Sequence, residues 1–369
     1  MKLLICGDLS VTDASREAFA RGDVKATFGD FSTLTAQADY AMVNLECALT
    51  ESEHAIRKFG PNLKAPVRTA EVIREVGFDG CLLSNNHIFD FGKEGMRDTL
   101  AALEHAGLDY TGFGESYEDS RKNFVVEKNG VRVVIVNVCE HEYTYATDKR
   151  MGARPFDEFE TMEDIRHAKR EEGDYVVVVY HGGHEQSRYP SPRLRKACRE
   201  MVRCGADVVL CQHSHCIGVY EAFEGGHILY GQGNFLFTKP AFLKAENGRE
   251  WHEGLAAMLE FTSDGFSVEY IPVTATEEGI RLTDAEETAT ILSELAERNR
   301  GLEDGGWLTY WERFCRECSK PYYRCVRQTP ESTSDEYQHF AHYLDCEAHA
   351  DVLRVLFPTW NSTNDLDVE

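Results

Sequence analysis

The sequence has no apolar run that approaches the ~18 residues of a membrane-spanning helix. Its opening, MKLLICGD, stops being apolar at Cys6, short of the ~7–15 residues of a signal-peptide core. It also has no block of Lys and Arg. Basic residues number 39 against 63 acidic ones, a net charge of −24. A chain this acidic is a poor electrostatic match for nucleic acid or an anionic membrane, so neither is an expected partner. It would repel an anionic substrate too, unless metal ions or local arginines offset the charge. Internal repeats and low-complexity segments are also missing.

Twelve cysteines are present, but their placement does not read as a disulfide framework. Cys6, Cys81, Cys139 and Cys211 lie in or beside apolar strand-like runs, where a thiol serves as a small hydrophobic group. A chain of 369 residues needs no covalent staples. Reduced thiols and a cytoplasmic setting are the expectation. Hydrophobic residues at 42% and aromatics at 11% exclude a disordered tail and supply a sizeable core.

Short Val/Ile/Leu-rich runs bounded by Gly or Asp predict strands at 3–6, 40–44, 80–84, 131–138, 175–180, 207–211 and 227–231. The runs 255–261 and 266–273 flank Ser-Asp-Gly and read as a hairpin. Helical patterns cover 66–76, 92–106, 160–172 and 191–204, the last with Pro192 in a favoured first-turn position. Strands alternating with helices argue for an α/β fold over residues 1–275. Residues 276–369 read as a helical extension with a pattern over 283–299, enriched in Trp307, Trp311, Trp360 and Tyr, and with a polar tail from Asn361.

The polar residues that follow each strand organise the chemistry. Gly7-Asp8 follows the first strand, and Asn44-Leu45-Glu46 closes the second. Asn85-Asn86-His87 follows the third, with Asp90 just beyond. His181, then His184 and Glu185, follow 175–180. Gln212-His213-Ser214-His215 follows 207–211, and Gln232-Gly233-Asn234 follows 227–231. Carboxyl ends of parallel strands share one rim, and ligands bind there. Carboxylate, amide oxygen and imidazole together suit a transition metal. No Cys occupies these positions, so a structural cysteine–zinc site is not the reading.

These stretches resemble the calcineurin-like metallophosphoesterase superfamily, and most of all its capsule-synthesis (CapA, poly-γ-glutamate) branch. The matching segments are Gly7-Asp8, residues 44–46, 85–92, 181–185, 212–215 and 231–235, in the family's order across residues 1–240. The resemblance implies a four-layer α/β/β/α sandwich holding one or two divalent metals, Mn, Fe or Zn, in a pair about 3.5–4 Å apart. It implies that Asp8 and His215 bind the first metal and that Glu46 bridges both. Asn86, His181 and His213 would bind the second. His87 would face the substrate as the catalytic acid, and Asn44, Asp90, Glu185 and Asn234 would orient the ligands or touch substrate. Ser10 stands where the wider superfamily has a histidine, and Gly182 where the branch often has Trp.

The function so implied is hydrolysis of phosphoesters by a metal-activated hydroxide, acting on a small or polymeric anionic substrate. The alternatives are amide hydrolysis or transfer on γ-glutamyl polymers, and a non-catalytic metal-bearing scaffold. His141 and Glu142 read as a solvated loop, and Arg154 as a candidate anion contact. His105 and His167 read as surface residues. Cys315, Cys318, Cys325 and Cys346, with His339, His342 and His349, read as packed side chains rather than a zinc site, because CxxC is only half of a zinc-ribbon signature.

Overall fold

The run Tyr175–His181 carries branched apolar residues at successive positions, which a strand buries only when both of its faces are covered. In the computed structural model, which describes residues 1–238 and 248–358, Val176 to Val179 are all fully buried. Val176 and Val178 pack among helices, while Val177 and Val179 face a second sheet. The Lys2–Leu9 strand does the same in mirror image. Leu4 and Cys6 meet helices, and Leu3 and Ile5 meet the opposing sheet. The result is the expected four-layer α/β/β/α sandwich.

The first sheet runs in the order Ile280–Leu282, Phe266–Ala275, Glu253–Phe261, Lys2–Leu9, Tyr40–Leu45, Gly80–Leu82 and Asp109–Thr111, with Asn234–Leu236 also paired to Lys2–Leu9. Its half from Lys2–Leu9 to Asp109–Thr111 is parallel. The second sheet runs Tyr220–Phe223, Gly226–Leu229, Val208–Gln212, Tyr175–His181, Val131–Cys139 and Phe124–Lys128, with its four middle strands parallel. The register aligns the carboxyl ends. Asp8 lies opposite both Asn44 and Asn234, and His181 lies opposite Gln212 and Cys139.

Several boundaries differ from the expectation. The third strand ends at Leu82 instead of residue 84, because the Ser84 amide donates to the Asn137 side chain at 2.9 Å. The helix from Glu160 is α-helical to His167 and finishes in a π-turn over Ala168–Glu172. Short outer strands such as Phe124–Lys128 and Tyr220–Phe223 have no counterpart among the expected elements; they bury little and carry charge. The 255–261 and 266–273 runs do form an antiparallel hairpin.

After the Ile280–Leu282 strand the chain is helical. The Ala285–Glu303 helix starts in a capping box in which Asp284 accepts from the Glu286 and Glu287 amides and Glu287 reaches back to the Asp284 amide. Ile291 and Leu295 on this helix join the core between the sheets, and Leu302 and Trp307 join the helix layer of the second sheet. Beyond them Trp311, Cys315, Tyr322, Cys325, Tyr343 and Val352 form a small core of their own. These cysteines are packed as free thiols. Trp360 and the tail from Asn361 lie outside the described residues.

Because Leu295 is 2% exposed inside the shared core, Leu295→Ala should cost the whole molecule ~2–5 kcal/mol. Calorimetry should show one transition moved to lower temperature. A sheet transition unchanged beside a separate, weakened helical one would overturn that coupling.

Candidate metal centre

The Lys2–Leu9 strand delivers Asp8 through a bulge. Register slips between Cys6 and Asp8, so Gly7 is the extra residue. A Cβ at Gly7 would stand 2.6 Å from the Gly233 carbonyl oxygen, which only glycine avoids. Asp8 is fully buried. Its Oδ1 accepts from Asn44 Nδ2 at 2.7 Å and its Oδ2 from the His213 amide at 3.0 Å.

His213 and His215 both adopt left-handed backbone, with φ of 82° and 51°. For a residue with a Cβ this conformation costs about 1–3 kcal/mol. It turns both rings into one site, with centroids 5.8 Å apart. His215 Nδ1 meets Asn234 Oδ1 at 2.9 Å and lies 3.6 Å from Asp8 Oδ2. His181 lies 3.7 Å from Asp8 and 3.6 Å from Glu46, and its Nε2 is 3.0 Å from Asn86 Oδ1.

Glu46 is the decisive residue. It is fully buried, and neither carboxylate oxygen has a hydrogen-bond partner. Burial pushes its carboxyl well above the usual range, and the charges of Asp8, Glu185 and Glu142 push it further. Burial also raises Asp8 and holds His181 and His215 low. A carboxylate stripped of water without a donor is strongly unfavourable unless a cation takes its place. Glu46, His213 and His215 offer ligand atoms within 4.8 Å of one another, and His213 Nδ1 has no hydrogen-bond partner either. Mixed oxygen and imidazole donors of this kind fit a divalent transition metal.

The residues expected to orient the site sit beside it. Asn44 bridges Asp8 and His181, and the Asn234 amide is fixed by the Trp251 carbonyl at 2.8 Å. Glu185 is solvent-exposed next to His184. His87 Nδ1 is 2.7 Å from Asp90 Oδ2 and 3.0 Å from Lys58 Nζ. Burial, aided by Lys58, lowers His87 to about 4, so its ring is uncharged at neutral pH. Lys58 is buried against Asp90 at 2.5 Å. Sequence reasoning missed it, because a lysine in a polar loop is ordinarily solvated.

Two expectations are corrected. Glu142 is not a solvated loop acid. Its side chain is 16% exposed, accepts from Asn86 Nδ2 at 3.0 Å, and lies 3.5 Å from His213 and 3.6 Å from His342. Arg154 contacts no anion site; it is buried against Asp164 at 2.7 Å and Asn123 at 2.9 Å. His141 pairs with Glu347 at 2.7 Å. His105 and His167 are at the surface, as expected.

The model of the family described as bacterial capsule synthesis protein PGA_cap matches residues 2–239. The chain belongs to this family. It is 30% identical over 247 residues to the capsule biosynthesis protein CapA of Bacillus anthracis, covering 65% of this chain and 60% of that one. The PGA biosynthesis protein CapA of Bacillus subtilis (strain 168) is 30% identical over 206 residues, 55% of this chain and 54% of the relative. The chain thus spans a little over half the length of these curated relatives. A hypothetical protein from Thermus thermophilus superposes with a TM-score of 0.47 at 17% identity, over 75% of this chain and all of that one.

Every residue expected to act at this member's strand-end site lies inside the matched family segment. His342 and His349 lie outside it, yet both stand by Glu142. Among the described residues, no helix is long and apolar enough to cross a membrane.

The raised Glu46 carboxyl has a direction that can be measured. In chelated protein its contribution to stability is present below the unfolded carboxylate range, near 4.5, and is lost as pH rises through the folded value. Glu46→Gln without metal should therefore melt at or above wild type at pH 7–8, with the gap closing toward pH 4–5. With Mn or Zn added, wild type should gain melting temperature, while Glu46→Gln gains little and Glu46→Ala loses more metal than His215→Ala. An unchanged metal-induced shift in Glu46→Gln would remove Glu46 from the centre.

Proposed function

We propose that the protein is a metal-dependent hydrolase of phosphoesters, working at the strand-end site. The observation that carries this reading is Glu46, a fully buried carboxylate with both oxygens unpaired among imidazoles and a second buried carboxylate. Asp8 and His215 would hold one metal, Asn86, His181 and His213 the other, and Glu46 both. When bound, such metals supply Lewis-acid polarisation of a phosphoryl oxygen and a lowered pKa for water. They would also offset the local negative charge of a chain at −24.

The chain's own residues then divide the work. Asn44 keeps Asp8 and His181 in register through two contacts, at 2.7 and 3.1 Å. His87 serves the leaving group. Its Nδ1 can satisfy only one neighbour at a time. With the proton on Nδ1 and given to Asp90, Nε2 is a base. With Nδ1 accepting from Lys58, Nε2–H is a donor. In the second of these, the ring gives its Nε2 proton to the departing oxygen while Nδ1 takes one from the Lys58 ammonium, so the imidazole stays neutral. A cavity of about 690 Å³, lined in part by Arg57, Tyr143, Arg150 and His342, lies against the loops that carry Lys58 and Glu142 and would give room for an anionic substrate.

A second reading keeps the site and changes the bond. The family description and the relatives' names concern capsule and PGA biosynthesis, which favours hydrolysis or transfer of a γ-glutamyl amide. Phosphomonoester, phosphodiester and γ-glutamyl anilide substrates, assayed with Mn or Zn against chelated protein, separate the two. Metal-dependent turnover of phosphoesters is the expected result. Turnover of the γ-glutamyl substrate alone would replace the first reading by the second, and no turnover of any would overturn both.

The role of His87 is open to a leaving-group test. His87→Asn should keep its metal and lose ~10²–10⁴ in turnover with alkyl phosphates. The loss should shrink with nitrophenyl phosphate, whose leaving group departs without a proton. An equal loss for both, together with lower metal content, would make His87 a ligand.

A further inference from the structure

Glu142 divides its two oxygens between two neighbourhoods. Oε2 accepts from Asn86 and lies 3.5 Å from His213, inside the strand-end site. Oε1 turns the other way and lies 3.6 Å from His342 Nε2. One nitrogen each of His342 and His349 and one oxygen of Glu142 lie within 4.8 Å of one another. Bonds of 2.0–2.1 Å at tetrahedral angles set neighbouring ligand atoms about 3.3–3.4 Å apart, close to the Glu142–His342 separation.

The two histidines are brought together by a break in the helices. His342 lies in the last turn of the Ser334–Asp345 helix and His349 in the first turn of the Glu347–Leu356 helix. Between them Cys346 is extended, at φ −72° and ψ 124°. Seven residues apart on one continuous helix, the rings would be about 10 Å apart along the axis. The break folds them to a centroid distance of 4.8 Å.

A chain of hydrogen bonds then orients His349. The Glu185 carbonyl can only accept, so His184 Nδ1, at 2.9 Å, carries a proton. In the neutral ring this makes Nε2 an acceptor for the Tyr322 hydroxyl at 2.9 Å. Tyr322 has no second proton to give. Toward His349 Nδ1, at 2.6 Å, its oxygen must accept, so His349 carries its proton on Nδ1. The lone pair is left on Nε2. This is the state of a metal-ligating histidine whose other nitrogen is held by a neighbour.

We propose that Glu142, His342 and His349 form a further divalent-metal site of the zinc type, built by the C-terminal helices and sharing Glu142 with the strand-end centre. The inference does not rest on the hydrolytic reading. Three protein ligands leave a coordination position for water or an anionic oxygen of substrate. Tyr322 is a positioning residue for it, through His349.

The test is zinc titration of the full chain after chelation and dialysis, read by bound zinc per chain and by hydrogen exchange over residues 334–356. Wild type should hold one more equivalent of zinc than His342→Ala/His349→Ala. Zinc should slow exchange in the two helices of wild type and of Glu46→Ala, but not of the double variant. Tyr322→Phe should bind this equivalent ~10–100-fold more weakly. Equal zinc content and equal protection in wild type and double variant would overturn the proposal. Should the double variant lose its circular dichroism, His349→Gln alone gives the same two readings. Loss of zinc from the double variant alongside none from Glu46→Ala would keep this site and remove the strand-end centre.

Discussion

Two carboxylates, Asp8 and Glu46, are buried side by side, and among the described residues the side chains within ion-pair reach of either are His181 and His215. Burying two like charges together is among the most unfavourable things a fold can do, and each neighbouring feature reads as a response. Asp8 is met by the amide of Asn44 and by the backbone of His213. Reaching it puts His213 in left-handed backbone, and the bulge at Gly7 aims Asp8 at that amide. Glu46 has no such donors. What completes it must come from outside the chain, and a cation is the natural complement.

The same constraint bears on the charge of the whole molecule. Around the site stand Asp8, Glu46, Asp90 and Glu142, with Lys58 as a buried cation, and Lys58 is engaged by Asp90. An anion entering this neighbourhood meets net negative potential unless metals reverse it locally. For an anion to bind there, its affinity must therefore be conditional on metal. The lowered His87, near 4, fits that setting, since a charged imidazolium beside Lys58 would be disfavoured even before any cation arrives.

Much of this was legible in the order of residues, and the reason is geometric. A parallel strand buried on both faces must be apolar until it ends, so the first polar residue marks the rim. Asp8, Asn44, His181 and Gln212 all stand there, and the register places them opposite one another in pairs. Glu142 and Lys58 were not legible in this way. Each lies in a loop rich in charge and hydroxyl groups, where composition points to solvent, and only the fold of the chain over them removes the water. The C-terminal helices show the same divide. Periodicity announces their apolar faces, and Trp311 and Cys315 do share a core. It says nothing of where the assembly docks.

Where it docks matters for what this member of the family does. The two last helices are tied to segments that follow three strands. Gln338 donates to the Arg57 carbonyl at 3.0 Å, Tyr145 to Asp345 at 2.7 Å, and Ala348 to Glu140 at 3.1 Å. His141 pairs with Glu347, and Arg193 with Asp351 at 2.9 Å. These contacts surround Glu142, an acid that touches both the strand-end residues and the helices. Strand ends position chemistry rigidly, whereas loops and added helices are free to vary without disturbing the sheet. Tyr143 and His342 line one cavity with these loops, and His342 lies outside the family's own segment. On the proposed reading, the strand ends would set which bond is broken, and the helices laid across them would set which molecule is admitted.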